Sequence, residues 1–184
     1  YKKRNDKDYL DSIKNKYKKY YIIPEGGTNK LGIRGCSEIL NSKTKKFDFI
    51  CCSVGTGGTF LGLSLGAEKH QKIIGFAALK GSFLLSNKLI ENRNFNNCKL
   101  IYDYTFGGYA KVRSELINFI NKFFDKYKIK LDGVYTGKAM FGVFDLIRLN
   151  YFPVGSKILF IHTGGLQGNN GLEDIKGIQF TFNS

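Results

Sequence analysis

The chain has 184 residues, 42% of them hydrophobic and 15% aromatic, which is enough for one domain with a substantial core. No run approaches the roughly 20 apolar residues of a membrane span, and the N-terminal YKKRNDKDYLDSIKNKYKKY lacks the apolar middle of a signal peptide, so a soluble cytoplasmic protein without membrane contact is expected. The formal charge of +14 rests mostly on lysines scattered among Asn, Ile, Phe and Tyr, a solvated-face pattern that disfavours a nucleic-acid partner, and the four cysteines show no CxxC spacing that would suggest a metal or disulfide framework.

In chain order, residues 7 to 19 predict a charged surface helix, and YYIIPEGG a short strand stopped by Pro24 and Gly26. Residues 35 to 46 suit a second helix. FDFICCSV is then almost wholly apolar, as a strand covered on both faces must be. TFLGLSLGAEKH suits a helix and KIIGFAAL a second buried strand, followed by a polar stretch to Asn97 and a short strand in CKLIYDYT. RSELINFINKFFDKY sets Leu116, Ile117, Ile120, Phe123, Phe124 and Tyr127 on one helical stripe, opposite Lys122, Asp125 and Lys126. LDGVYTGKAMFGVFDLIRLN gives a turn and a helix, and KILFIHTGG a last buried strand ending in glycine. Strands alternate with helices and no Pro-rich linker or repeat divides them, which predicts an α/β fold: an open, mostly parallel sheet with helices on both faces.

Glycines gather where strands end. Gly55-Thr56-Gly57-Gly58-Thr59 follows a buried strand and opens a helix, the place where open α/β sheets bind ligands and where unpaired N–H groups offer a partial positive charge. Glycine lets a backbone approach an anion closely, threonine hydroxyls add donors, and a phosphate group suits the loop. A tight turn is the plain alternative. The spacing is neither GxxxxGK[ST] nor GxGxxG with a following acid, which disfavours a P-loop and a dinucleotide site. PEGGTNKLGIRG, TFGGYAKV, VYTGKAMFG and FIHTGG supply further glycine clusters that could converge on one small ligand.

In this order IIPEGGTNKLGIRG, CCSVGTGGTFLGL, GVYTGKAMFGVFDLI and ILFIHTGGLQG resemble the C-terminal part of the D-cysteine desulfhydrase and 1-aminocyclopropane-1-carboxylate deaminase family, pyridoxal-phosphate enzymes of the tryptophan-synthase-β fold type. The resemblance runs from about Tyr21 to Gly168. It implies pyridoxal 5'-phosphate as cofactor, a small amino acid as substrate and a homodimer. It further implies that Thr56, Gly57, Gly58 and Thr59 hold the cofactor phosphate, that Tyr135 lies against the pyridine ring, and that Thr163 bonds the pyridine nitrogen with Thr136 beside it. Tyr109 matches the substrate-facing tyrosine, a candidate for acid/base work, and Thr28 and Asn29 a loop near the substrate. Threonine at 136 and 163, where the deaminase branch resembles Glu and Leu, places the chain nearer the desulfhydrase branch.

Other polar residues read as structural: His162 as a hydrogen-bonded core residue on its apolar strand, Lys138 as part of a turn, and Asp103 and Asp145 as separate acids with no dyad spacing. The family's Schiff-base lysine, in a GNK-like motif, belongs to a region ahead of all the motifs above and has no equivalent in residues 1 to 184. Residues 1 to 20 are then expected to be the end of a small domain and residues 21 to 184 an incomplete large cofactor domain, inactive alone. A cyclopropane deaminase, a non-catalytic phosphate-ligand module and a basic nucleic-acid binder are the alternative readings.

Overall fold

Phe49–Val54 forms β1, and all six residues are buried. Its side chains alternate between two cores. Ile50, Cys52 and Val54 point to a cluster with Phe60 and Leu63, while Phe49 and Cys51 point to one with Ala139, Val143 and Leu146. A strand covered on both faces cannot afford polar alternation, which is why FICCSV reads as one apolar run. The computed structural model describes residues 6–17, 20–79 and 96–182.

β2 is Lys72–Ala77, β3 Cys98–Ile101 and β4 Ile158–Ile161. The sheet order is β3-β2-β1-β4, and every pairing is parallel, with Phe49 opposite Lys72 on one side and Ile158 on the other. α1 is Lys7–Lys16, α2 Lys30–Ser37 and α3 Gly58–Gly66. α4 is Ser114–Tyr127, α5 Thr136–Arg148 and α6 Gln167–Lys176. α3 covers one face of the sheet and α5 the other, and a third cluster joins Leu116, Ile120 and Phe123 of α4 to Leu172 of α6. The layered parallel α/β architecture is the one expected from the sequence.

Three local expectations change. No strand forms over residues 20 to 24, where Ile23 is 73% exposed; a single 3-10 turn, Glu25–Gly27, follows Pro24. The second helix lies earlier than residues 35 to 46, because Asn29 caps it by accepting the Gly32 N–H at 2.8 Å. After Ser37 the backbone turns: the Thr44 hydroxyl accepts the Asn41 N–H and donates to the Asn41 carbonyl, and Asn41 Oδ1 accepts the Lys43 N–H, the local bonding that competes with a helix. The last strand, β4, is only half-buried, since among the described residues it is an edge of the sheet. The helix expected over residues 7 to 19 forms over 7 to 16 with no buried residue, and most of the polar stretch before Asn97 lies outside the described residues.

Candidate functional site

The carboxyl ends of β1 and β4 release the chain into loops on the same edge of the sheet. After Val54 the chain passes through Gly55 and Thr56 to Gly57, whose φ of 95° is left-handed and swings directly into α3. N–H groups in the first turn of a helix have no intrahelical acceptor, so Gly58 and Thr59 present donors and the positive end of α3 to the space beyond. A side chain at Gly58 would press on the neighbouring loop: a Cβ there would stand 2.9 Å from Thr28 Oγ1. The PEGGT loop therefore lies on the β1–α3 loop, pinned by a 2.6 Å hydrogen bond between the hydroxyls of Thr28 and Thr56.

The opposite wall is the turn in front of α5. Asp132 is fully buried and its carboxylate accepts the N–H groups of Val134, Tyr135 and Thr136 together with the Thr136 hydroxyl. Asn169, also fully buried, reaches across from α6 to accept the Gly133 N–H and donate to the Leu131 carbonyl. Between these two braces the Tyr135 ring is fixed so close to the glycine loop that a Cβ on Gly55 would lie 3.2 Å from Tyr135 Cε1. Gly107, Gly108 and Tyr109 close a third side, with the Tyr109 and Tyr135 rings 6.3 Å apart. Thr163, beyond β4, stands at the fourth. Together these walls surround a cavity of about 810 Å³.

Thr56, Gly57, Gly58, Thr59, Tyr109, Tyr135 and Thr163 are thus brought to one cavity from four separate loops. Thr28 touches it through Thr56. Two of the expected residues are placed elsewhere. The Thr136 hydroxyl is fully buried and turned to Asp132, whose N–H it also accepts at 2.9 Å. Asn29 is occupied in capping α2 and in donating to the Tyr21 hydroxyl.

His162 is exposed and not a core residue; its Nε2 bonds the Lys130 carbonyl at 2.7 Å and its Nδ1 accepts the Gly164 N–H, so it shapes the HTGG turn. Lys138 is not in a turn but inside α5 and 1% exposed. Asp145 pairs with Arg148, which lowers its pKa, and accepts the Tyr104 hydroxyl, whose own pKa burial pushes up to about 12. Asp132, Asn169 and the cavity-lining Ser53 and Glu25 went unread in the sequence. Asp132 had a usable signal: an acid followed by glycine, four residues before a helix-opening threonine, is placed to cap that helix.

Among the described residues no group of three or more His, Cys, Asp or Glu could hold a metal ion, and no helix is long and apolar enough to cross a membrane. No protein-family model matches the chain. It is 36% identical over 178 residues to a putative 1-aminocyclopropane-1-carboxylate deaminase of Pyrococcus horikoshii, covering 88% of this chain and 54% of that protein. It is 34% identical over 180 residues to the mitochondrial bifunctional D-cysteine desulfhydrase/1-aminocyclopropane-1-carboxylate deaminase of Arabidopsis thaliana, covering 86% of this chain and 44% of that one. The crystal structure of an ACC deaminase homologue superposes with a TM-score of 0.75 at 35% identity, over 94% of this chain and 57% of that chain. The chain spans about half the length of the curated relatives it matches. Over that part it is similar in sequence and fold to proteins named 1-aminocyclopropane-1-carboxylate deaminase and D-cysteine desulfhydrase.

Proposed function

We propose that the cavity holds pyridoxal 5'-phosphate and that the complete protein is a lyase of a small amino acid, D-cysteine desulfhydrase in the first instance. The observation that carries this reading is the start of α3: Gly58 and Thr59, in the first turn of the helix, line a cavity of about 810 Å³ that the Tyr135 ring, held beside Gly55, lines as well. A phosphate is the group such a helix terminus suits, and a flat aromatic heterocycle the group such a ring suits. The residues present therefore fit the cofactor. When bound, pyridoxal phosphate supplies an electron sink for a bond broken at the α-carbon of an amino acid.

The chain's own residues do the rest. The glycine loop grips the phosphate, Thr56 adds a hydroxyl, and Thr163 offers a neutral hydroxyl partner at the far wall. A neutral partner leaves a ring nitrogen less readily protonated than a carboxylate does. Tyr109, 64% exposed above the cavity, is the group placed to hold or deliver a proton at a substrate atom. Thr28 supports Thr56, and Asn29 and Thr136 act as structural residues behind the walls.

With Thr136 turned away, the case for the desulfhydrase over the deaminase branch rests on Thr163 alone. The deaminase reading keeps support from the names of several relatives. In the same reading α1 ends a small domain, the remaining residues belong to the large domain, and residues 1 to 184 have no turnover by themselves. The complete protein is a cytoplasmic homodimer.

Absorbance titration with pyridoxal phosphate, followed by D-cysteine or 1-aminocyclopropane-1-carboxylate, tests the proposal in the complete protein. Release of sulfide with ammonia from D-cysteine supports the desulfhydrase, and ammonia from the cyclopropane alone supports the deaminase. Failure to bind the cofactor would overturn both.

A further inference from the structure

The proposed phosphate grip leaves one deeply buried charge unused. Lys138 is 1% exposed and stands in the first turn of α5, three residues after Tyr135, where the helix dipole disfavours a cation. Neither helix formation nor solvation accounts for an ammonium group there. Its Nζ reaches out of the helix and donates to the carbonyls of Thr105, at 2.9 Å, and Gly108, at 2.7 Å. Both carbonyls belong to the loop after β3 that carries Tyr109.

The backbone of that loop is held in unusual conformations. Phe106 and Ala110 adopt left-handed φ of 52° and 49°, and Gly107 and Gly108 lie at 102° and 118°. Non-glycine residues keep such conformations where the surroundings enforce them. Within the loop, the Gly108 N–H donates to the Thr105 carbonyl and the Lys111 N–H to the Gly108 carbonyl, the same two oxygens that the ammonium engages. A lysine head carries three donors on a flexible stem and can gather two carbonyls that a planar guanidinium would meet less well.

We propose that Lys138 is a positioning residue: by tying the Thr105 and Gly108 carbonyls to the helix that bears Tyr135, it sets where Tyr109 stands over the cavity. One helix start then fixes two walls of the pocket, the Tyr135 ring directly and the Tyr109 loop through Lys138. The part of this role that concerns turnover rests on the reading of Tyr109 given above; the part that concerns the loop does not.

The test uses the complete protein with pyridoxal phosphate and Lys138→Met, which keeps much of the stem and removes the charge. Amide hydrogen exchange over residues 105–111 should rise by about tenfold or more as two charge-assisted bonds are lost. Cofactor affinity should stay within about threefold of the parent, because the phosphate loop is untouched. Displacement of Tyr109 should lower kcat/KM by on the order of 100-fold. In a Tyr109→Phe background the same Lys138→Met change should cost almost nothing further, since the group it positions is gone.

Unchanged exchange over residues 105–111, or a rate loss that simply adds to that of Tyr109→Phe, would overturn the proposal. If the variant does not fold, nitrogen-15 spectra of the unmodified protein decide. An ammonium at Lys138 shielded from solvent exchange supports the tie, and one exchanging like a surface lysine refutes it. A protein that turns over neither amino acid would sink the functional reading, while the exchange experiment would still judge the tie.

Discussion

Replacing Asp132 by Asn keeps the volume of the turn before α5 and removes one acceptor and one charge. Asp132 Oδ1 accepts from Val134 and Tyr135 at 2.8 and 2.7 Å, and Oδ2 accepts the Thr136 N–H at 2.8 Å as well as the Thr136 hydroxyl. An amide can keep its carbonyl oxygen for Val134 and Tyr135. Its NH2 then meets the Thr136 N–H, donor against donor, inside a site with no solvent exposure. A buried N–H stripped of its acceptor costs about 1–3 kcal/mol. Loss of the negative charge at a helix N-terminus adds about 0.3–1 kcal/mol. The sum centres near 3 kcal/mol, and at about 2–4 °C per kcal/mol for a domain of this size, Asp132→Asn should lower Tm by about 6–12 °C. Differential scanning calorimetry at neutral pH measures it directly. A Tm within about 2 °C of the parent would refute the claim that these four bonds hold the Tyr135 turn.

Three further outcomes are expected. Gly58→Ala places a methyl 2.9 Å from Thr28 Oγ1 and disturbs the Thr28–Thr56 bond, so pyridoxal phosphate affinity in an absorbance titration should fall about tenfold or more, with Tm little changed. Gly62→Ala sets a methyl 2.2 Å from Cys36 Cβ and 2.6 Å from the Ile33 carbonyl, where α2 and α3 meet; urea unfolding should show a loss of about 1–3 kcal/mol. Burial pushes the Cys51 thiol from 9.0 up to about 12, and burial, then the Asp145 hydrogen bond, push Tyr104 from 10.0 up to about 12. Both groups keep their protons in the fold where the unfolded chain loses them, so stability should be full below pH 9 and fall as pH rises toward 12. Denaturant midpoints across that window that rise instead, or a slope that Cys51→Ala leaves unaltered, would contradict this.

The sheet was legible because its physics is written in runs. A parallel strand buried on both faces leaves no choice but apolar residues, so FICCSV and KIIGFA announced themselves, and the glycines after β1 and β4 marked the ligand edge. Edge strand β4 carries almost the same letters as β1, and only the sheet order tells that it is half-covered. Over residues 35 to 46 the helical tendency was outbid by the Thr44 hydroxyl bonding both backbone groups of Asn41, a contest between local partners that composition does not resolve.

For the site, position was readable and direction was not. Thr56 and Thr136 both sit beside glycines at a helix start, yet Thr56 lines the cavity and Thr136 is turned to a buried acid. What separates them is the acceptor behind each: Asp132 stands four residues before Thr136, whereas the partner of Thr56 is Thr28, brought over from another loop. The same logic explains why Asp132 and Asn169, both unread in the sequence, give the cavity its shape. Asp132 and Asn169 touch no cavity space themselves; each satisfies backbone groups of the turn that aims Tyr135. Braces of this kind hold the walls in place without relying on a ligand, so the ordering cost of binding falls on the cofactor more than on the protein. An anion arriving at α3 then meets donors already aligned, which is the condition under which a helix terminus and a few glycines suffice to select phosphate.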